Sequence, residues 1–132
     1  MTEITDWTRL REFKAVDLAS SFVLSWQMSD HVLVIDLDLC LTPEHPFYVA
    51  PRRLRQDCIL PAMLEFPHCS RLGDADEPAQ SGDLAKIARG IGLGKIHGLQ
   101  LIDDGHYEMS GDFGTVQIQS ERPILRLGDR LA

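Results

Sequence analysis

Apolar residues alternate with other residues along two neighbouring segments in the first third of the chain. Every second position is apolar, first at Phe22, Leu24, Trp26 and Met28 and then at Leu33, Ile35, Leu37, Leu39 and Leu41. A period of two is typical of a β-strand with one buried face. The polar pair Ser29-Asp30 separates the two segments, so we predict an antiparallel hairpin over residues 22–41 with Trp26 in the core.

The C-terminal third repeats this pattern and predicts a meander of three strands. The alternating segments are residues 95–102, 106–111 and 115–121. Asp104-Gly105 and the triplet 112–114 separate them, and both are favourable sequences for tight turns between antiparallel strands.

The remaining segments add a helix, a strand and a long connection. Asp6 is a suitable N-cap for a short N-terminal helix. Apolar residues follow it at every third position, at Trp7, Leu10 and Phe13. Residues 42–57 contain three prolines and predict a long connector, which in compact domains is often functional. Residues 58–66 predict a strand in which Pro61 favours a sheet edge or a bulge.

These elements predict a mainly β fold in one domain spanning residues 1–132. About seven or eight short antiparallel strands cannot bury this much apolar surface in one flat sheet. We therefore predict a two-sheet sandwich or a partly open barrel, with the short N-terminal helix beside it.

Charge and cysteine content narrow the functional classes. The formal net charge of −7 disfavours nucleic acid and anionic membranes as partners, and no apolar window reaches membrane-spanning length. The first ten residues lack the apolar core of a signal peptide, which favours a cytoplasmic protein. Three cysteines without a C-x2-C pair predict free thiols and neither zinc nor another cofactor, even with His68 next to Cys69.

Three short segments carry a resemblance to other proteins. They are Ser-Phe-Val-Leu-Ser-Trp at 21–26, His-Pro-Phe-Tyr at 45–48 and Gly-Asp-Phe-Gly-Thr-Val at 111–116. This pattern resembles one in small bacterial all-β proteins of similar length that have no assigned activity. The resemblance implies a bacterial cytoplasmic β-domain and transfers no catalytic residue. There is also a distant similarity to immunity-type proteins of the antitoxin kind.

Four residues form the predicted binding surface: Asp36, Asp38, His45 and Tyr48. The two aspartates lie two positions apart on a predicted strand, so both side chains point to the side opposite the apolar stripe. His45 and Tyr48 add an imidazole and a phenol on the connector that follows. One alternative is that Asp36 and Asp38 only form a solvated face, paired with Arg52 or Arg53. The other is that Phe47 and Tyr48 anchor the connector on the sheet while His45 caps or contacts backbone.

The sequence favours a non-catalytic protein-interaction module, immunity-like or accessory, that recognises a basic partner. One alternative is a metal-dependent hydrolase in which Asp36, Asp38 and His45 hold the cation. The other is a small-ligand-binding β-barrel, which needs an internal cavity. The chain carries no complete catalytic motif, so whether it is an enzyme stays open at this point, as does its oligomeric state.

Overall fold

A computed structural model describes residues 4–46, 58–74, 79–80, 87–88 and 90–127. Within these ranges the regular structure is almost entirely antiparallel β, which confirms the mainly β class. In chain order the strands are β1 (Thr5–Asp6), β2 (Val16–Ser29), β3 (Val32–Leu41), β4 (Cys58–Phe66), β5 (Arg71–Asp74), β6 (Ala79–Gln80), β7 (Gly94–Asp103), β8 (His106–Gly111), β9 (Gly114–Gln119) and β10 (Ile124–Leu127).

The strands join into one sheet with the order β10-β4-β3-β2-β7-β8-β9-β5-β6, and β1 pairs with β7. The sheet is not closed, because within the described residues β10 and β6 each lie at an end of this order. We call β10, β4, β3 and β2 the hairpin half and the other strands the meander half. Only two residue pairs, Phe22 with Lys95 and Val23 with Gly94, link β2 to β7.

The predicted N-terminal helix takes the form of two short 3-10 helices, Trp7–Arg9 and Arg11–Phe13. The Asp6 carboxylate caps the first one by accepting a hydrogen bond from the Thr8 amide at 3.2 Å. Extended backbone at Leu10 ends the first 3-10 helix, so the segment does not continue as an α-helix.

A bulge in β2 overturns part of the predicted apolar stripe. The pairing register between β2 and β3 shifts by one residue between Val23 and Ser25. A shift of one residue exchanges the faces of a strand. As a result Trp26 is 3% exposed, as predicted, whereas Phe22 and Leu24 are 45% and 48% exposed instead of buried.

The two predicted turn regions form close to the expected positions. The hairpin turn consists of Asp30 and His31, one residue later than predicted, and both have left-handed backbone with φ of 52° and 64°. Two such residues are characteristic of a type I′ turn. In the meander half, β8 has the predicted bounds, and Gly105 and Gly114 provide the positive φ values that its two turns need.

One hydrophobic core contains residues of both halves. Leu37 and Leu64 from the hairpin half and Met109 and Ile118 from the meander half belong to it and are almost fully buried. The ring of Phe66 on β4 contacts that of Tyr107 on β8, with centroids 5.4 Å apart. Burial against the other half therefore defines an inner face for the sheet, and the opposite face of the hairpin half points outward.

Candidate functional site

The outer face of the hairpin half carries both predicted carboxylates. Along β3 the apolar side chains from Leu33 to Leu41 are buried at every second position, and the residues between them are half-buried except for the buried Cys40. Asp36 and Asp38 belong to this second set. The structure therefore brings the two carboxylates onto one side of the strand, next to each other along the outer face.

Neighbouring strands surround these carboxylates with different groups. Asp38 lies opposite Phe22 on β2 and Pro61 on β4, while Asp36 lies opposite Ser25 and Met63. The hydroxyl of Ser25 donates a hydrogen bond of 2.6 Å to Asp36, which holds that carboxylate in place.

Asp38 differs from Asp36 in having no such support. Within the part of the chain that the structure describes, no hydrogen bond or ion pair reaches the Asp38 carboxylate. The carboxylate of Asp38 can therefore accept hydrogen bonds from a binding partner without first losing an internal one.

Exposed apolar side chains lie around the two carboxylates. Met63 is 39% exposed and Ile124 is 40% exposed, in addition to Phe22 and Leu24 from the bulged strand. These four are among only six large hydrophobic residues that are exposed in the described structure. We call the surface formed by these four residues with Asp36 and Asp38 the acidic-apolar face.

An ion pair with no net charge lies on the same outer face. Arg126 on β10 donates to the Glu65 carboxylate on β4 at 3.0 Å. Asp36 and Asp38, in contrast, have no ion pair within the described residues. The acidic-apolar face therefore has a net negative charge between apolar side chains.

Of the other two predicted site residues, His45 alone lies within the described residues. His45 lies in a turn after β3, and its backbone amide donates a hydrogen bond to the Thr42 carbonyl at 3.0 Å. Together with Lys14 and Ala15, His45 also lines a cleft of about 520 Å³. Partial burial lowers the pKa of His45, so its imidazole is neutral near pH 7. Tyr48, like Arg52 and Arg53, falls outside the described residues.

The hydrolase alternative gains no support from the arrangement of side chains. Among the described residues there is no group of three or more His, Cys, Asp or Glu side chains placed to hold a metal ion. The buried thiol of Cys69 is also a poor ligand or nucleophile, since burial raises its pKa to about 11 and keeps it protonated.

Sequence reasoning missed the apolar part of the face. Phe22 and Leu24 were predicted to be core residues, because regular alternation gives no sign of a bulge. Met63 and Ile124 were not predicted at all, since their exposure depends on which strands flank β4. The signal that was available was the pair of carboxylates on one strand.

Comparisons with known proteins do not identify a family or a function for this arrangement of residues. None of the helices in the described residues is long and apolar enough to cross a membrane. No protein-family model, curated protein or solved structure matches the chain.

Proposed function

We propose that the protein is a non-catalytic interaction module that binds a basic, partly apolar segment of another protein through the acidic-apolar face. The observation that supports this proposal is the presence of Asp36 and Asp38 among four exposed apolar side chains on one sheet face. Monomeric proteins seldom leave such apolar surface uncovered unless it binds something. The proposed role is that of an immunity-like or accessory protein in the bacterial cytoplasm. The proposed architecture is a single domain with two layers.

Charge complementarity selects the partner. A lysine or arginine side chain on the partner can pair with Asp38, whose carboxylate has no hydrogen bond or ion pair within the described residues, while apolar neighbours pack on Phe22 and Met63. The overall charge of −7 adds a longer-range attraction for a basic surface and repels nucleic acid. Ser25 keeps Asp36 oriented before binding, which lowers the entropy cost of association.

Two synthetic peptides test this proposal by fluorescence anisotropy. In one, arginine alternates with leucine, and in the other glutamate replaces every arginine. We expect the arginine peptide to bind and the affinity to fall as salt increases. We expect the double variant Asp36→Asn/Asp38→Asn to bind it at least about tenfold more weakly, since close interfacial charge pairs contribute this much.

The matched control is Asp103→Asn/Asp104→Asn, which removes the same charge from the β7–β8 turn. Equal weakening by both double variants would mean that only net charge matters and would refute the site. Binding of the glutamate peptide with similar affinity would refute it as well. If sedimentation shows that the protein dimerises and that Phe22→Ser abolishes the dimer, the occupant is a second copy and the proposed partner is wrong.

A further inference from the structure

A second candidate site lies at the end of the strands where three connections meet, and of the acidic-apolar face only Ile124 also lines it. A cleft of about 580 Å³ opens between the β4–β5, β7–β8 and β9–β10 connections. Its lining includes Tyr107, Arg122, Asp104 and Glu121 together with the apolar side chains of Pro67 and Leu101. This volume is in the range of small-molecule sites.

Tyr107 supplies an unused hydrogen-bonding group to this cleft. The residue is only 2% exposed, and its ring packs against Phe66. No hydrogen bond to its hydroxyl is found among the described residues, and the hydroxyl is not among the fully buried polar atoms, so a ligand in the cleft can reach it. Burial is the largest influence on the pKa of Tyr107 and raises it, so the hydroxyl is a donor at neutral pH.

Arg122 places a partly used cation close to this hydroxyl. Its Nε and Nη2 atoms donate to the two oxygens of Glu12 at 2.6 and 2.9 Å, which fixes the guanidinium. A guanidinium has five N–H donors, and those on the other edge of Arg122 have no hydrogen bond in the described structure. Arg122 and Tyr107 line the same cleft, and the positive charge of Arg122 acts on the Tyr107 phenol.

Backbone hydrogen bonds hold the walls of the cleft in position. The Ser120 amide donates to the Gly105 carbonyl and the Glu121 amide donates to the Pro67 carbonyl, both at 2.9 Å. Gly105 has a φ of 76°, and a Cβ atom there would lie 3.1 Å from the Ser120 carbonyl oxygen, so this close turn needs glycine. The cleft is therefore formed before any ligand binds.

The charges in the cleft exclude simple ions as good ligands. A plain anion would meet the carboxylates of Asp104 and Glu121, both exposed on the same cleft. A plain cation would leave the hydroxyl of Tyr107 without an acceptor and would be repelled by Arg122. A molecule that places a negative group at Tyr107 and Arg122 and a positive group at the exposed carboxylates of Asp104 and Glu121 satisfies both sets of side chains.

We propose that this cleft binds a small zwitterion of the α-amino acid class with an apolar side chain. Its carboxylate accepts hydrogen bonds from the Tyr107 hydroxyl and the open edge of Arg122. Its ammonium group pairs with Asp104 and Glu121, and its side chain packs on the apolar wall of the cleft. This proposal does not rest on ligand binding by the acidic-apolar face, with which the cleft shares Ile124.

Isothermal titration calorimetry with three probes tests this assignment. The probes are L-phenylalanine, 3-phenylpropanoate, which lacks the amine, and 2-phenylethylamine, which lacks the carboxylate. We expect saturable binding of phenylalanine, and binding of each fragment at least about tenfold more weakly, because each fragment loses one charged contact. Tyr107→Phe keeps the ring and should weaken phenylalanine binding by about tenfold without changing the circular dichroism spectrum.

A second variant separates the two ends of the ligand. Asp104→Asn, in an exposed turn, should weaken phenylalanine and 2-phenylethylamine but leave 3-phenylpropanoate unchanged or slightly stronger. Asp36→Asn/Asp38→Asn is the control and should bind all three probes like the wild type. Absence of saturable phenylalanine binding, tighter binding of either fragment, or unchanged binding by Tyr107→Phe would each overturn the proposal.

Discussion

The substitution Trp26→Ala tests the register of β2 and the core beneath the acidic-apolar face. Trp26 is 3% exposed, its indole N–H donates to the Gly92 carbonyl at 2.7 Å, and its ring meets Phe113 edge-on with centroids 5.2 Å apart. Leu24 is two residues earlier and 48% exposed. If the bulge is correct, these two residues contribute very differently to stability.

The expected magnitude follows from these contacts. Truncating a buried tryptophan to alanine costs about 3–5 kcal/mol. Within that range the hydrogen bond to Gly92 contributes about 1 kcal/mol and the edge-to-face contact with Phe113 about 0.5–1.5 kcal/mol. Leu24→Ala leaves no buried cavity and should cost at most about 1 kcal/mol, as is usual for a surface position.

Urea denaturation followed by far-ultraviolet circular dichroism measures both variants against the wild type. This signal is suitable because it reports mainly on the backbone, whereas removal of one of the two tryptophans would change the fluorescence itself. A loss from Leu24→Ala that equals or exceeds that from Trp26→Ala would refute the bulge. It would also return Leu24 to the core and remove it from the acidic-apolar face.

Two further predictions concern titrating groups. Because burial raises the pKa of Cys69 to about 11, we expect iodoacetamide to label Cys69 only after unfolding in urea, and mass-spectrometric detection of rapid labelling in the native protein would contradict this burial. Burial lowers the pKa of His45 in the folded protein. As pH falls below about 6.5, the unfolded chain therefore binds a proton before the folded protein does. The contribution of the neutral imidazole to stability is complete above that pH and is lost on acidification. His45→Gln should therefore reduce the loss of stability between about pH 7 and pH 5 in urea titrations, and equal pH profiles for wild type and His45→Gln would show that the imidazole is not buried.

Local sequence patterns predicted most of the strands because alternation and turn residues are properties of neighbouring positions in the chain. Alternation located β3, and the glycines at positions 105 and 114 located the turns of the meander half. Pro61 shows where local reasoning stops. It favoured a sheet edge or a bulge, yet β4 lies between β3 and β10. Within the described residues β10 pairs with residues 62–65, so Pro61 is not asked to donate a hydrogen bond in that pairing.

The sites were less predictable than the strands, for a physical reason. Two carboxylates on one strand share a face by geometry alone, so Asp36 and Asp38 could be placed together from the sequence. The exposure of Met63 depends on strand order, and the cleft around Tyr107 depends on three connections meeting at one end of the sheet. Long-range pairing determines both features, and a single sequence carries no direct record of it.

The central claim is that the acidic-apolar face binds a basic, apolar segment. The most direct measurement is a two-dimensional ¹H–¹⁵N NMR titration of the protein with the alternating arginine-leucine peptide. We expect saturable shift changes that are largest at Phe22, Leu24, Asp36, Asp38 and Met63 and absent with the glutamate peptide. Changes confined to the cleft around Tyr107, or no saturable change anywhere, would contradict the claim.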